Sequence, residues 1–201
     1  MINKIVLASK NQGKVREIEA ILSGLPLEIV SIARYPHVPD VIEDGASFLE
    51  NALKKARSIS EYTGETALAD DSGLEVDYLK GAPGIYSARF AGENASDEDN
   101  NRKLLFEMAG VPAEDRGAAF KCVMVLYEPD GSYNVFEGRW LGRIGTSLQG
   151  AGGFGYDPVF FISEIGMTAA ELPQEEKNRL SHRAQALKAL KRYLEKKAVS
   201  S

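Results

Sequence analysis

Apolar and polar positions along this chain switch between a period near two and a period near 3.6, and each switch predicts an element boundary. The run Ile5-Val6-Leu7-Ala8 reads as a strand, and Val15, Ile18, Ile21 and Leu22 follow at helical spacing. Leu27 to Ile32 predicts a second strand, and Tyr35 to Val41, with two prolines, predicts a loop. A second helix is expected from Ser47, which stands three residues before Glu50 as in a capping box, with Phe48, Ala52, Ala56 and Ile59 on its inner face. Thr66 to Ala69 predicts a short strand running into Asp70-Asp71-Ser72-Gly73, and Gly81 to Gly84 a turn. Ser96, followed by three acidic residues, predicts a helix start, and Gly110 before Pro112 its stop. Ala118 to Tyr127 and Tyr133 to Arg139 read as strands paired across Pro129-Asp130-Gly131, and Trp140 to Ile144 as a further strand. The last helix should run from Ser181 to about Lys197, with Ala184, Leu187, Leu190 and Leu194 inward. The fold class is therefore α/β, with a mixed sheet because the hairpin breaks a purely parallel scheme.

Composition narrows the class without naming a function. With 201 residues, 44% hydrophobic and 26% charged, the chain suits one globular domain spanning residues 1–201. A net charge of −5 argues against a nucleic-acid-binding surface but leaves room for a local cationic pocket. The single cysteine, Cys122, lies in an apolar run and reads as a buried structural thiol. No apolar stretch approaches a membrane span or a signal-peptide core, so the expectation is a cytoplasmic protein without membrane partners.

Four groups of residues carry chemistry. Ser9-Lys10-Asn11-Gln12-Gly13-Lys14 places a hydroxyl, amides, a glycine and lysines between a strand and a helix start. Unpaired N–H groups there suit an anion such as phosphate, although the spacing is not that of the P-loop. The second group is acidic: Glu43-Asp44 before the second helix and Asp70-Asp71 after the short strand. In extended backbone Asp70 and Asp71 point to opposite faces, unless a turn at Ser72-Gly73 relaxes this. Two carboxylates about 4 Å apart repel by roughly 4 kcal/mol at an effective dielectric of 20, so a converging pair calls for a cation, and with phosphate present for Mg²⁺. On the second helix Lys54 should face water, while Lys55 sits near the edge of the inner face. Finally, Gly152-Gly153-Phe154-Gly155-Tyr156-Asp157-Pro158 sets a phenyl ring among glycines where it can lie against a base, and Lys177, His182 and Arg183 follow near the last helix start. Ser181 is the expected N-cap of that helix, and Arg183 could pair with Glu175 or Glu176.

Six segments occur in one order: Ser9 to Lys14, Glu50-Asn51-Ala52, Ala69 to Leu74, Gly81 to Arg89, Gly152 to Pro158 and Ser181-His182-Arg183. Together they resemble the inosine triphosphate pyrophosphatase family, from Ile5 to about Leu194. The resemblance implies an elongated mixed sheet with flanking helices, two lobes around a substrate cleft, and a homodimer. It further implies Mg²⁺-dependent hydrolysis of non-standard purine nucleoside triphosphates such as ITP, dITP and XTP to the monophosphate and pyrophosphate.

By position, the resemblance implies substrate binding by Ser9, Lys10, Asn11, Gln12, Gly13 and Lys14, with Lys55 assisting. Glu43 and Asp71 correspond to metal-binding carboxylates, Asp71 also to the proton acceptor, and Ser72 to a substrate contact. Phe154, Gly155, Tyr156, Asp157, Lys177, His182 and Arg183 correspond to base-binding positions. Donors near a purine C6 oxygen would reject adenine, which carries an amine there; excluding guanine must rest on its 2-amino group. Two alternatives stand beside this reading: a related pyrophosphatase for modified pyrimidine or 7-methylated nucleotides, and a nucleotide-sensing module without turnover.

Overall fold

A computed structural model describes residues 2–9 and 11–199. Seven strands form one sheet in the order β2-β1-β3-β4-β5-β6-β7. Strand β1 (Lys4–Leu7) pairs in parallel with β2 (Glu28–Ser31) on one side and β3 (Ala67–Val76) on the other. Strands β4 (Gly117–Tyr127) and β5 (Tyr133–Ile144) are neighbours. Strand β6 (Phe160–Ile162) runs antiparallel to β5, and β7 (Met167–Thr168) antiparallel to β6. The sheet is thus mixed, as expected.

Helix α1 (Gln12–Leu22) follows β1, and α2 (Phe48–Thr63) precedes β3. Helix α3 (Asp97–Glu107) lies between β3 and β4, while α4 (Gln174–Leu180) and α5 (His182–Val199) close the chain. Ser47 caps α2 by accepting from the Glu50 N–H, but Glu50 returns its carboxylate to the Ala46 N–H, so the capping box expected there is only half made. The full box occurs instead at Ser96 and Asp99 on α3.

Two sequence expectations need correction. Strand β3 does not stop at Ala69; it runs on through Asp70, Asp71, Ser72 and Gly73 to Val76, with no turn. Trp140 to Ile144 is not a separate strand but the second half of β5. Both have one cause. Neighbouring strands and helices extend an element past the point where local turn residues would end it. Ser181 ends α4 as its C-cap, its N–H bonded to the Lys177 carbonyl, and with extended backbone it directly precedes His182, the first residue of α5, the position expected for the cap of that helix.

The chain divides into two compact units. Unit 1 comprises residues 1–71, 122–138 and 183–201; unit 2 comprises 72–121 and 139–182. In unit 1 the strands alternate between two packed faces. Ile5, Leu7, Leu68, Cys122, Met124 and Leu126 meet α1 through Val15, Ile18 and Leu22, and α5 through Leu187, Leu190 and Leu194. Ala69 and Val125 meet α2 through Ala52 and Ala56, and Ala67 meets Ile59. Unit 2 has its own core, in which Leu104 of α3 and Met108, its C-cap, pack with Leu74, Val76, Phe120, Trp140 and Phe160. Among the described residues no helix is long and apolar enough to cross a membrane.

Candidate active site

The alternation of β3 decides where the two aspartates go. Even positions face α1 and α5, so Asp70 enters that side beside Leu68; odd positions face α2, so Asp71 enters that side beside Ala69. Lys14 Nζ, from the first turn of α1, lies 2.9 Å from Asp70 Oδ2, and Arg183 Nε of α5 lies 3.6 Å from the same atom. Arg183 Nη1 donates to Glu17 Oε2 of α1 at 2.5 Å. Only 2% of the Arg183 residue surface is exposed, and Asp70 and Glu17 are buried too. Burial alone would raise the Asp70 carboxyl, but the charges of Lys14, Arg183 and Lys55 outweigh it and hold the group well below the usual carboxylate range. Arg183 therefore pairs with Glu17 and Asp70, not with Glu175 or Glu176, because β3 brings a buried carboxylate to its helix.

Asp71 has different company. Asn51 Nδ2, on the inner face of α2, donates to Asp71 Oδ2 at 3.0 Å, and Asn51 Oδ1 accepts from the Gly45 N–H at 2.8 Å. The α2 residue Lys55 places its Nζ 2.9 Å from Glu43 Oε2 and 3.9 Å from Asp71 Oδ1. A Cβ at Gly45 would come within 2.7 Å of Asn51 Oδ1, so glycine is what lets the Glu43 loop approach the helix. Burial raises the Asp71 carboxyl, with the charge of Glu43 adding to the effect; Lys55 and Asn51 oppose it. A buried, raised carboxyl next to a second carboxylate is a proton acceptor and a site short of positive charge. This hard-oxygen pair fits a divalent cation such as Mg²⁺ that takes its remaining ligands from water and phosphate. Among the described residues no cluster of three or more metal-ligating side chains exists, so protein alone would not complete such a shell.

The start of α1 is built from its own polar side chains. Ser9 Oγ accepts from the Asn11 N–H at 3.2 Å, and Asn11 Oδ1, the N-cap, accepts from the Lys14 N–H at 3.1 Å. Both side chains serve there as acceptors, and their own hydroxyl and amide hydrogens are donors of the kind phosphate accepts. Gln12 and Gly13 belong to the first helical turn and not to a glycine loop, since α1 starts at Gln12. Lys10 lies outside the described residues. Lys54 pairs with Asp44 in the open, 2.5 Å apart, as its predicted outward face requires.

In unit 2 the glycine-rich segment folds around Asp157. Asp157 Oδ2 accepts from the Phe154 N–H at 2.8 Å and from Lys177 Nζ at 2.5 Å, and that ammonium sits 4.6 Å from the Phe154 ring centroid. Lys177 is 4% exposed, so a buried ion pair underlies a half-buried aromatic ring. Gly153 adopts φ +76°, and a Cβ there would meet Asp157 Oδ2 at 2.0 Å. Tyr156 turns into the core, where its hydroxyl donates to the Ser87 carbonyl at 2.8 Å and burial raises its phenol above the ordinary range. His182 stacks on Phe120, with ring centroids 4.8 Å apart and planes 11° from parallel. Ser72 continues β3 one residue beyond Asp71.

The structure gathers Glu43, Lys55 and Asp71 into one cluster and Phe154, Gly155, Asp157 and Lys177 into another. Three partners have no assigned role in the sequence reading: Asn51, Glu17 and Asp97. Asn51 offered a usable signal, a polar residue one position before Ala52 on the inner face of an amphipathic helix. Glu17 offered a similar one, lying between Val15 and Ile18.

A mixed α/β sheet with an interior strand that carries two acidic residues to opposite faces, each met by lysine, defines a class of site in which carboxylate and ammonium groups stand together. Residues 5–193 match the sequence profile of the Ham1 family, and the chain belongs to that family. A dITP/XTP pyrophosphatase of Geobacter sulfurreducens is 55% identical over 193 residues, 96% of this chain and 97% of that one. Among solved structures, a HAM1 protein from Coxiella burnetii superposes with a TM-score of 0.90 at 41% identity, covering 98% of this chain and 100% of its own. The Staphylococcus aureus Ham1 protein does so with a TM-score of 0.88 at 42% identity, covering 96% and 99%.

Proposed function

We propose that this protein hydrolyses non-standard purine nucleoside triphosphates, ITP, dITP and XTP, to the nucleoside monophosphate and pyrophosphate. The observation that carries the reading is Asp71: a buried carboxyl with a raised pKa, held by Asn51 and placed beside Lys55 and Glu43. Its high identity to a dITP/XTP pyrophosphatase over nearly the whole chain supports the substrate class.

In this reading Asp71 orients a water and takes its proton as the oxygen attacks the α-phosphorus, while Asn51 keeps the carboxylate aimed. Lys14 and Lys55 offset the charge that develops on the phosphate oxygens and on departing pyrophosphate. Ser9 and Asn11, with the backbone of the α1 start, donate to the triphosphate. Glu43 and Asp71 would hold Mg²⁺, which when bound neutralises phosphate charge. Phe154 offers its face to the base, Lys177 and Asp157 fix the ring beneath it, and His182 donates to the 6-oxo group. Arg183, taken up by Glu17 and Asp70, acts from inside the protein by fixing the Asp70 carboxylate that holds Lys14. A homodimeric cytoplasmic enzyme is the form this reading entails.

The test measures pyrophosphate release from ITP, XTP, dITP, ATP, GTP and a 7-methylated triphosphate, with Mg²⁺ and with chelator. ITP, XTP and dITP should be cleaved only with metal, and ATP roughly 10⁴-fold less efficiently. Silence on every nucleotide would favour a binding module, and selective cleavage of the methylated substrate the related pyrophosphatase.

A further inference from the structure

Unit 2 holds the peptide of Gly155 from outside its own loop. Asp97, the first residue of α3, accepts the Gly155 N–H on Oδ2 at 2.6 Å. Asn101, one turn farther along the same helix face, donates from Nδ2 to the Gly155 carbonyl at 2.8 Å and to the Asp97 carbonyl at 2.8 Å. Both polar atoms of one backbone residue are therefore gripped by two side chains of a single helix.

The grip is itself well founded. The Ser96–Asp99 capping box fixes the start of α3, and a carboxylate at that end is favoured by the helix dipole. Asn101 is buried, and its two donated bonds fix the amide orientation; its Oδ1 has no partner among the described residues. A buried acceptor left without a donor is costly, and it persists here because the amide hydrogens are committed to the two carbonyls. Gly155 has φ +63° and Gly153 φ +76°, so the segment turns through backbone states that favour glycine and needs outside bonds to select one arrangement. Between those glycines stands Phe154, tied by its N–H to Asp157 and lying 4.6 Å from the Lys177 ammonium.

We infer that Asp97 and Asn101 are positioning residues for base recognition: through Gly155 they set the plane of the Phe154 ring and the register of Asp157. The inference rests on the functional reading above, which gives Phe154 to the base. Neither side chain touches the reacting atoms, so loosening the clamp should act on binding of the base and leave the chemical step alone.

The experiment compares wild type with Asp97→Asn, which keeps the shape and removes the charge, and with Asn101→Leu, which removes both donated bonds. Arg102→Ala, at an exposed position of α3, is the control. For both clamp variants KM for ITP should rise about tenfold or more with kcat within about twofold, the pattern of lost uniform binding. The ITP-to-ATP ratio of kcat/KM should fall, and amide exchange at Gly155 should quicken about tenfold or more. A merely structural role would lower the active fraction and leave KM and the ratio untouched. Faster exchange with KM and discrimination unchanged would overturn the inference, as would Gly155 exchange indifferent to either substitution. Should one variant fold poorly, the other carries the same comparison. A wild type inert towards ITP and XTP would instead bring down the functional reading itself, while Gly155 exchange would still decide whether the clamp exists.

Discussion

Asp71 and its neighbour Asp70 have opposite electrostatics one residue apart, and the difference comes from which helix each meets. Asp70 is surrounded by fixed cations and stays ionised; Asp71 is buried with one ammonium shared and a second carboxylate nearby, so it binds a proton more readily. Only the second arrangement suits a general base. Asp71→Asn keeps the shape and the bond from Asn51 but removes the proton acceptor. Turnover of ITP should drop by about 10³-fold, with nucleotide binding retained by titration calorimetry; turnover like wild type would remove Asp71 from the chemistry. Cys122 makes a second residue-scale prediction. Burial and the negative charge of Asp70 push its thiol up to about 12, from an ordinary 9.0. Folding favours the neutral thiol, so this contribution to stability is complete below pH 9 and is lost as pH rises towards 12. At pH 8 the thiolate fraction is about 10⁻⁴, so iodoacetamide should label the chain only as fast as it unfolds.

At the scale of elements, α5 is tied to α1 and to β3 by one buried guanidinium. Arg183 meets Glu17 on the helix and Asp70 on the strand, and these contacts add to the apolar seam formed by Leu187, Leu190 and Leu194. Arg183→Leu fills similar volume but takes the guanidinium away from the buried carboxylates of Glu17 and Asp70. Breaking one side of a buried ion pair costs about 3–5 kcal/mol, so the urea midpoint should fall sharply with an unchanged m-value. A shift under about 1 kcal/mol would mean that water or Lys14 replaces the guanidinium. Much of this level was legible in the sequence. Helical spacing located α1, α2 and α5, and Ser47 and Ser96 marked two helix starts. Local signals failed where pairing overrode them, as at Ser72-Gly73, where a turn-like dipeptide is held extended in β3. They also missed β6 and β7, whose three and two residues are too short to show a period.

For the whole molecule, ordered motifs point to the cluster of Glu43, Lys55 and Asp71 better than any single residue type could. Glu43, Lys55 and Asp71 were named from the sequence and lie together in unit 1. The sequence near Arg183 offers Glu175 and Glu176 as partners, and nothing in it foretells Glu17, which lies 166 positions away. Periodicity reports one element at a time, whereas a buried charge network depends on which elements a fold brings side by side. The same discontinuity reaches beyond the active site. Because unit 1 draws on three separate stretches of chain, no contiguous fragment contains it. A product cut short between residues 127 and 182 would lack α5, uncovering Val15, Ile18 and Cys122 and taking the Arg183 guanidinium away from Asp70. Unit 1 therefore cannot close until the α5 segment has been made, and its burial by distant segments gives folding a high contact order. For a cell making this protein, unit 1 stays open until the α5 segment has left the ribosome.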